Sequence, residues 1–281
     1  MATRTARQSG YRAKARGRQA ARSKTLKGLA KAGFAARGVM YILIGWIALM
    51  IAFGHAPASA DNRGALEVVG STSVGMFALW LLAIGFAGLA LWRLSEAAFG
   101  GPEAGENKVG ERLLVLFKAA LYAFLSYSTF KFALGSGAPK SSNQQSSDLT
   151  ATLMKYPGGQ IAVVIVGLVL IGAGGYLIWQ AWKRAFLKTL QTGQMTTGQR
   201  KLANWLGLIG GIARGLVFAG AGVFFVVAGI EDNPGKAKGM DSTLRSFAHT
   251  PLGPFLLALI AAGLVIFGAY SLFVEARWRR V

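Results

Sequence analysis

The chain has 281 residues, of which 53% are hydrophobic and only 15% are charged, with a formal charge of +20. Soluble domains contain about 45–50% apolar and about 25% charged residues, so this composition is typical of a membrane protein instead. The sequence has no cysteine, which excludes disulfides, thiolate metal sites and a cysteine nucleophile.

The apolar residues form six long blocks. A helix needs roughly 20 apolar residues to cross the hydrocarbon core of a bilayer. The blocks approach or reach that length at about 34–54, 74–95, 113–134, 160–182, 205–230 and 253–274. We therefore predict an all-α membrane protein with six transmembrane helices. The remaining segments are too short for a separate soluble catalytic domain.

The six spans are predicted to form three tandem helical hairpins, because three sets of positions recur along the chain. Arg37-Gly38-Val39-Met40-Tyr41 matches residues 118–122 and 214–218 as a cation, a small residue, two apolar residues and an aromatic residue. In each even span a glycine precedes an aromatic residue by seven, as Gly85 precedes Trp92. The predicted units are a basic tail at 1–31 and hairpin repeats at 32–100, 112–186 and 205–279. All three repeats share one orientation, which allows pseudo-threefold symmetry about the membrane normal.

Basic residues determine the predicted topology. Residues 1–31 carry many Lys and Arg and no acid, and the C-terminus and the two loops on the same side are also basic. The positive-inside rule therefore places both termini in the cytoplasm of a multi-pass plasma membrane protein. The tail is predicted to be disordered and to contact anionic lipids. Nucleic acid is a less favoured partner because Tyr11 is the tail's single aromatic residue.

The first span has a second interpretation. A basic segment, an apolar stretch and Ala58-Ser59-Ala60 together resemble a cleavable signal peptide. Retention is favoured, because this span has counterparts in the third and fifth spans and its loss would break the threefold pattern.

A family resemblance is carried by Gly33-Phe34-Ala35-Ala36-Arg37-Gly38-Val39-Met40-Tyr41 and by residues 91–97, LWRLSEA, in three tandem two-helix copies. These features resemble an actinobacterial membrane-protein family of unknown function. The resemblance covers about residues 29–279 and is strongest in the first repeat. It implies an integral membrane location with six spans, and it implies no activity.

Five charged residues are candidates for a site near the inner surface. Arg37, Lys118 and Arg214 precede or begin the odd spans, where a cation opposes the positive end of the helix dipole. Glu96 and Glu275 end two even spans at a similar depth, so we predict the pairs Arg37–Glu96 and Arg214–Glu275. The second repeat has Lys183 instead of an acid at this position. Three interpretations remain open, namely structural ion pairing, a phospholipid-headgroup site and a site for a transported anion.

Two further sets of residues are interpreted structurally. Gly207, Gly211 and Gly215 are spaced four apart and predict either an internal helix-packing seam or a homodimer face. Asp61, Asp148 and Asp241 lie one in each outer loop, where they are predicted to cap short helices, with a cation site as the alternative. The sequence leaves open whether the protein is a monomer or a homo-oligomer.

No catalytic motif, metal site or cofactor site is predicted. His55 and His249 lie in outer loops, and the sequence has no P-loop and no dinucleotide fingerprint. The leading hypothesis is a non-enzymatic scaffold or docking site whose outer loops or basic tail bind a partner. The alternative is a small-solute or ion channel or transporter, with Ser126, Ser128 and Thr129 lining a pore. Lipid chemistry within the membrane is the third hypothesis, but it lacks a nucleophile and a base.

Overall fold

A computed structural model describes residues 24–55, 58–99, 109–248 and 252–280 of the chain. Within these ranges the fold is built from helices, whose bounds are α1 Lys24–Ala52, α2 Asn62–Gly70, α3 Ser73–Phe99, α4 Val109–Ala133, α5 Ser142–Met154, α6 Gly159–Trp182, α7 Thr197–Ile230, α8 Met240–Ala248, α9 Gly253–Ala269 and α10 Ala276–Trp278. Six helices are long and apolar enough to cross a membrane, and they are α1, α3, α4, α6, α7 and α9 with its extension to Trp278. The predicted all-α class with six long apolar helices is therefore confirmed.

The first helix begins earlier than predicted. Residues 24–31, which were assigned to a disordered tail, form the first two turns of α1. They are helical because their small and apolar residues recur every three to four positions, and Ala30 and Phe34 pack against Leu89 and Trp92 of α3. The prediction was therefore wrong for residues 24–31, and residues 1–23 lie outside the described part of the chain.

The six long helices pack in an open row in the order α4, α3, α1, α9, α7, α6. In the first repeat α1 packs on α3, and in the third α7 packs on α9. The two helices of the second repeat, α4 and α6, lie at opposite ends of the row and do not form a packed pair. Because of this separation, large apolar side chains of α4 and α6 remain exposed.

Glycines allow the closest helix approaches. At the crossing of α1 and α9, a Cβ atom on Gly38 would lie 2.7 Å from the carbonyl oxygen of Gly268. The predicted glycine stripe on α7 faces α6 and the turn that follows it. There, an added Cβ atom would meet Phe186 at Gly207, Ala181 at Gly211 and Ile178 at Gly215. The structure thus places all three glycines in an internal seam.

The centre of the row is filled by large apolar side chains. Met40, Ile44 and Ile47 of α1 pack with Leu82 and Phe86 of α3. The same core takes in Leu257, Ile260 and Leu264 from α9. These side chains fill the space along which a central pore would run.

Candidate functional site

The most highly charged buried region lies about halfway along α1 and α7 and beside the end of α9, on the side of the bundle where α1 and α7 begin. We call this side the terminal end of the bundle, and we call the opposite end, which carries α2, α5 and α8, the loop end. Arg37 is about 15 residues before the end of α1. At 1.5 Å per residue its Cα is about 22 Å from the loop end of the helix, a distance shorter than the thickness of a hydrocarbon core, which is about 30 Å.

Arg37 is the centre of the charged region and is only 8% exposed. Its Nε donates a hydrogen bond to Ser271 Oγ at 3.0 Å, and its Nη1 donates to Tyr122 Oη at 3.1 Å. Its Nη2 forms an ion pair with Glu275. The guanidinium also lies 5.0 Å from the ring centre of Phe34. Arg37 therefore joins α1 to both α4 and the end of α9.

A π-helical turn at Tyr270–Glu275 supplies two of these partners. Such a turn inserts an extra residue into the helix and changes the direction of the side chains that follow it. Ser271 and Glu275 are both buried, and Ser271 Oγ also donates to the carbonyl oxygen of Phe34 at 2.9 Å. Glu275 pairs with Arg279 as well as with Arg37. One buried carboxylate thus holds two arginines.

A second ion pair lies beside the first. Arg93 Nη1 of α3 is 2.8 Å from Glu96 Oε2, and both side chains are at most 3% exposed. Arg93 stacks 4.4 Å from the ring centre of Trp92, and Arg279 lies 5.8 Å from the same ring centre. The backbone after α10 is held against the segment that follows α6, because Arg280 N donates a hydrogen bond to Thr189 O at 2.9 Å. The two carboxylates and their arginines therefore form one cluster across α1, α3 and α9.

Arg214 and Lys118 extend this cluster with further positive charge. Arg214 of α7 lies 5.1 Å from the ring centre of Phe267 and 5.9 Å from that of Tyr41. Its Nε is buried and has no hydrogen-bond partner among the described residues. Lys118 of α4 is within electrostatic range of Arg214, Arg93 and Glu96.

Among the residues that the structure describes, the cluster contains more cations than carboxylates. Its described cations are Arg37, Arg93, Lys118, Arg214 and Arg279, and its described carboxylates are Glu96 and Glu275. Charged groups in a low-dielectric region are costly unless they are neutralised, so Arg214, whose buried Nε has no partner among the described residues, is suited to attract an anion. This arrangement can hold an anionic group such as a phosphate.

The structure brings the five predicted charged residues to one region but changes their pairing. Arg37 pairs with Glu275 of the third repeat instead of Glu96, and Glu275 pairs with Arg37 and Arg279 instead of Arg214. The predicted intra-hairpin pairs were therefore wrong. The physical reason is that α9 packs directly on α1, which brings the end of the third repeat to the first.

Sequence reasoning missed Arg93, Tyr122, Ser271 and Arg279 as members of the cluster. A signal was available for two of them, because each arginine directly follows a tryptophan near the end of an even span, as Trp92-Arg93 and Trp278-Arg279. Ser271 carried no local signal, since its role depends on the π-helical turn. Tyr122 carried none either, because its contact with Arg37 is made between repeats.

At the loop end, Asp61 links the first repeat to the second. It caps α2 as predicted, because its Oδ1 accepts a hydrogen bond from Gly64 N at 3.1 Å. Its Oδ2 accepts from the backbone N and the Oγ of Ser142, at 2.7 and 2.9 Å. Asp61 is 1% exposed, so three donors converge on one buried carboxylate.

Asp241 links the third repeat to the other two. Its Oδ1 accepts from Ala60 N at 2.7 Å, and Arg245 Nε lies 3.0 Å from its Oδ2. Asn143 of α5 completes the connection, because its Oδ1 accepts from Gly239 N at 3.0 Å. We call α2, α5, α8 and these links the loop-end platform, in which one segment from each repeat is tied to the others.

Two of the three predicted aspartate caps differ in the structure. Asp148 lies within α5 and is half-exposed, with its Oδ2 2.5 Å from Lys140 Nζ. The N-cap lies seven residues earlier than predicted, at Ser141 instead of Asp148, because Ser141 and Gln144 form a capping box there. Asp241 is the second residue of α8 and binds across repeats instead of capping its own helix.

The alternative pore residues mostly make structural contacts. Ser126 Oγ donates to the carbonyl oxygen of Ala83 on α3 at 2.9 Å, and Thr129 Oγ1 donates to Leu125 O at 2.7 Å. Ser128 lines a cavity near the loop end. Two of the three hydroxyls thus satisfy backbone carbonyls.

Comparisons with known proteins agree with the threefold organisation. The family described as Domain of Unknown Function (DUF1206) matches residues 32–100, 115–184 and 209–279. An uncharacterized protein of Bacillus subtilis (strain 168) is 27% identical over 249 residues, which is 88% of this chain and 89% of that protein. No solved structure matches the chain. The actinobacterial part of the resemblance stays a prediction, because this relative comes from Bacillus subtilis.

Proposed function

The chain belongs to the DUF1206 family, and on that premise we propose that it is a non-enzymatic membrane scaffold that acts by binding. In this proposal the terminal-end cluster holds the anionic headgroup of a phospholipid, and the loop-end platform is a docking site for a protein partner. The protein lies in the plasma membrane with its terminal end in the cytoplasm, as the distribution of Lys and Arg favours.

The observation that carries the proposal is the guanidinium of Arg214, which makes no ion pair within the described part of the chain. Arg214 is held by aromatic rings, and its Nε has no hydrogen-bond partner among the described residues. Lys118 lies within electrostatic range of Arg214, so both cations attract an anionic group in this region. A lipid phosphate suits such a site because it accepts several charge-assisted hydrogen bonds at once.

A channel or transporter is less well supported. The apolar core around Ile44, Phe86 and Leu264 fills the centre of the row. An ion or polar solute there would lose its hydration without gaining polar partners, which is costly.

The lipid part of the proposal predicts a loss of bound lipid on removing two charges. Lys118→Gln combined with Arg214→Gln is expected to weaken binding of dioleoyl phosphatidylglycerol by about tenfold or more, since two charge-assisted contacts are removed. Native mass spectrometry of the full chain in detergent measures this. Lys201→Gln, an exposed lysine at the start of α7, is the matched control. Equal lipid retention by the double variant and the control would contradict the proposal.

The docking part predicts a discrete protein contact at the platform. A photo-crosslinking residue at Gln144, which is exposed on α5, is expected to give one adduct of defined mass in intact cells. The photo-crosslinking residue placed instead at Ile165, on the exposed face of α6, is the control for contacts made from within the lipid. Adducts at Ile165 and none at the platform would overturn the docking role.

A further inference from the structure

A cavity of about 490 Å³ lies at the loop end, beside α4 and away from the charged cluster. Phe124, Tyr127, Ser128 and Lys131 of α4 form one wall. The other walls are the connection at residues 136–140 and the first half of α5, with Gln145 and Asp148. The cavity is open on one side, and its lining residues all belong to the second repeat.

The connection from α4 to α5 shapes this cavity. Gly135 and Gly137 both have positive φ, at 79° and 81°, a conformation that glycine adopts without strain. These two positions turn the chain back beside the end of α4, and Pro139 also lines the cavity. The first and third repeats have no counterpart to the extended polar run that follows, at residues 140–147.

The lining combines aromatic and basic groups. The Nζ of Lys131 lies 5.8 Å from the ring centre of Tyr127. Within the described part of the chain, Lys131 makes no ion pair. Lys140 also lines the cavity, and its charge is balanced by Asp148 at 2.5 Å. The cavity therefore carries one uncompensated positive charge above an aromatic wall.

The cavity adjoins a face of α4 suited to lipid chains. Leu121, Phe124 and Tyr127 on α4 are 47%, 49% and 62% exposed. Because α4 ends the row and α6 does not pack on it, these side chains face the bilayer. Lys131 is two residues before the end of α4, at the level where headgroups meet the hydrocarbon.

We propose that this cavity binds the phosphodiester headgroup of a phospholipid in the loop-end leaflet. Lys131 pairs with the phosphate, and the acyl chains lie along Leu121, Phe124 and Tyr127. Asp148 keeps Lys140 at the cavity edge, where Lys140 makes the second contact with the phosphate. This site is distinct from the terminal-end cluster, because Lys131 and Lys118 are 13 residues apart on α4, or about 20 Å along a helix.

Lipid titration of the full chain tests this site. Lys131→Gln is expected to weaken binding of dioleoyl phosphatidylglycerol by about fivefold to tenfold, as expected for one charge-assisted contact. Lys155→Gln, an exposed lysine just after α5 that does not line the cavity, is the matched control. Ala138→Trp fills the cavity from the connection without changing a charge, so it is expected to displace the same lipid.

The outcomes separate this site from the terminal-end cluster. Two separate sites are supported if Lys131→Gln and Ala138→Trp each lose one bound lipid. The lipid lost by the double variant of Lys118 and Arg214 is then expected to add to that loss. Unchanged lipid binding in Lys131→Gln would overturn this inference and would leave the terminal-end proposal standing. Equal retention of dioleoylglycerol, which lacks the phosphate, would also overturn it, since recognition would then be apolar.

Discussion

Replacing Glu275 by glutamine is expected to lower the free energy of unfolding by about 3–5 kcal/mol, the usual cost of removing one partner of a buried ion pair. Glu275 is 3% exposed and pairs with both Arg37 and Arg279. Glutamine keeps the size of the side chain but removes its charge. Two buried guanidiniums would then lose their shared carboxylate. Thermal unfolding in detergent, followed by loss of helical circular dichroism, measures the change.

Glu67→Gln is the matched control for this prediction. Glu67 also pairs with an arginine, Arg63, but both side chains of that pair are about one-third exposed. Solvent screens such a pair, so its loss is expected to cost less than about 1 kcal/mol. If the two variants unfolded at the same temperature, the Glu275 carboxylate would not be the link between α1 and the end of α9.

Replacing Asp61 by alanine is expected to loosen the loop-end platform and to cost about 2–4 kcal/mol. The variant leaves Gly64 N, Ser142 N and Ser142 Oγ without the carboxylate that now accepts from them. Each buried donor left without a partner costs about 1–3 kcal/mol, and partial access of water to Ser142 reduces the sum. Hydrogen exchange across α2 and α5 measures the loosening.

Asp148→Ala serves as the comparison for Asp61. Asp148 is half-exposed and pairs with the exposed Lys140, so its removal is expected to leave hydrogen exchange in α2 unchanged. Faster exchange confined to the start of α5 in both variants would mean that Asp61 acts only as a local cap. If hydrogen exchange becomes faster in both α2 and α5 in Asp61→Ala but not in Asp148→Ala, the link between the first and second repeats is supported.

The charged cluster illustrates which part of this fold can be predicted from the sequence. Arg37, Lys118, Arg214, Glu96 and Glu275 stood out because a charged residue beside a long apolar block is costly and therefore needs a partner. The threefold repeat also predicted that these five residues lie at a similar depth near one end of the bundle. Their pairing could not be predicted, because Arg37 and Glu275 are joined only through the packing of α9 on α1.

The platform shows the same division at the loop end. The sequence indicated short helices with aspartates between the spans, and Asp61 does cap α2. The helix that contains Asp148 was placed too late, since a polar run was interpreted as loop although Ser141 and Gln144 give it a capping box. Asp241 was assigned a local role, whereas it accepts hydrogen bonds from the first and second repeats.

The amino-acid sequence by itself determined the six spans, the threefold repeat and the uneven distribution of basic residues. These properties follow from transfer of each segment into lipid, which sums over neighbouring residues and is therefore readable locally. Only the tertiary structure decided the open row, the separation of α4 from α6 and the exchange of ion-pair partners. In lipid, helix order depends on close backbone approaches such as that of Gly38 and Gly268. The two helix surfaces that meet in such a contact come from positions far apart in the chain. No local sequence pattern therefore specifies which helices pack together.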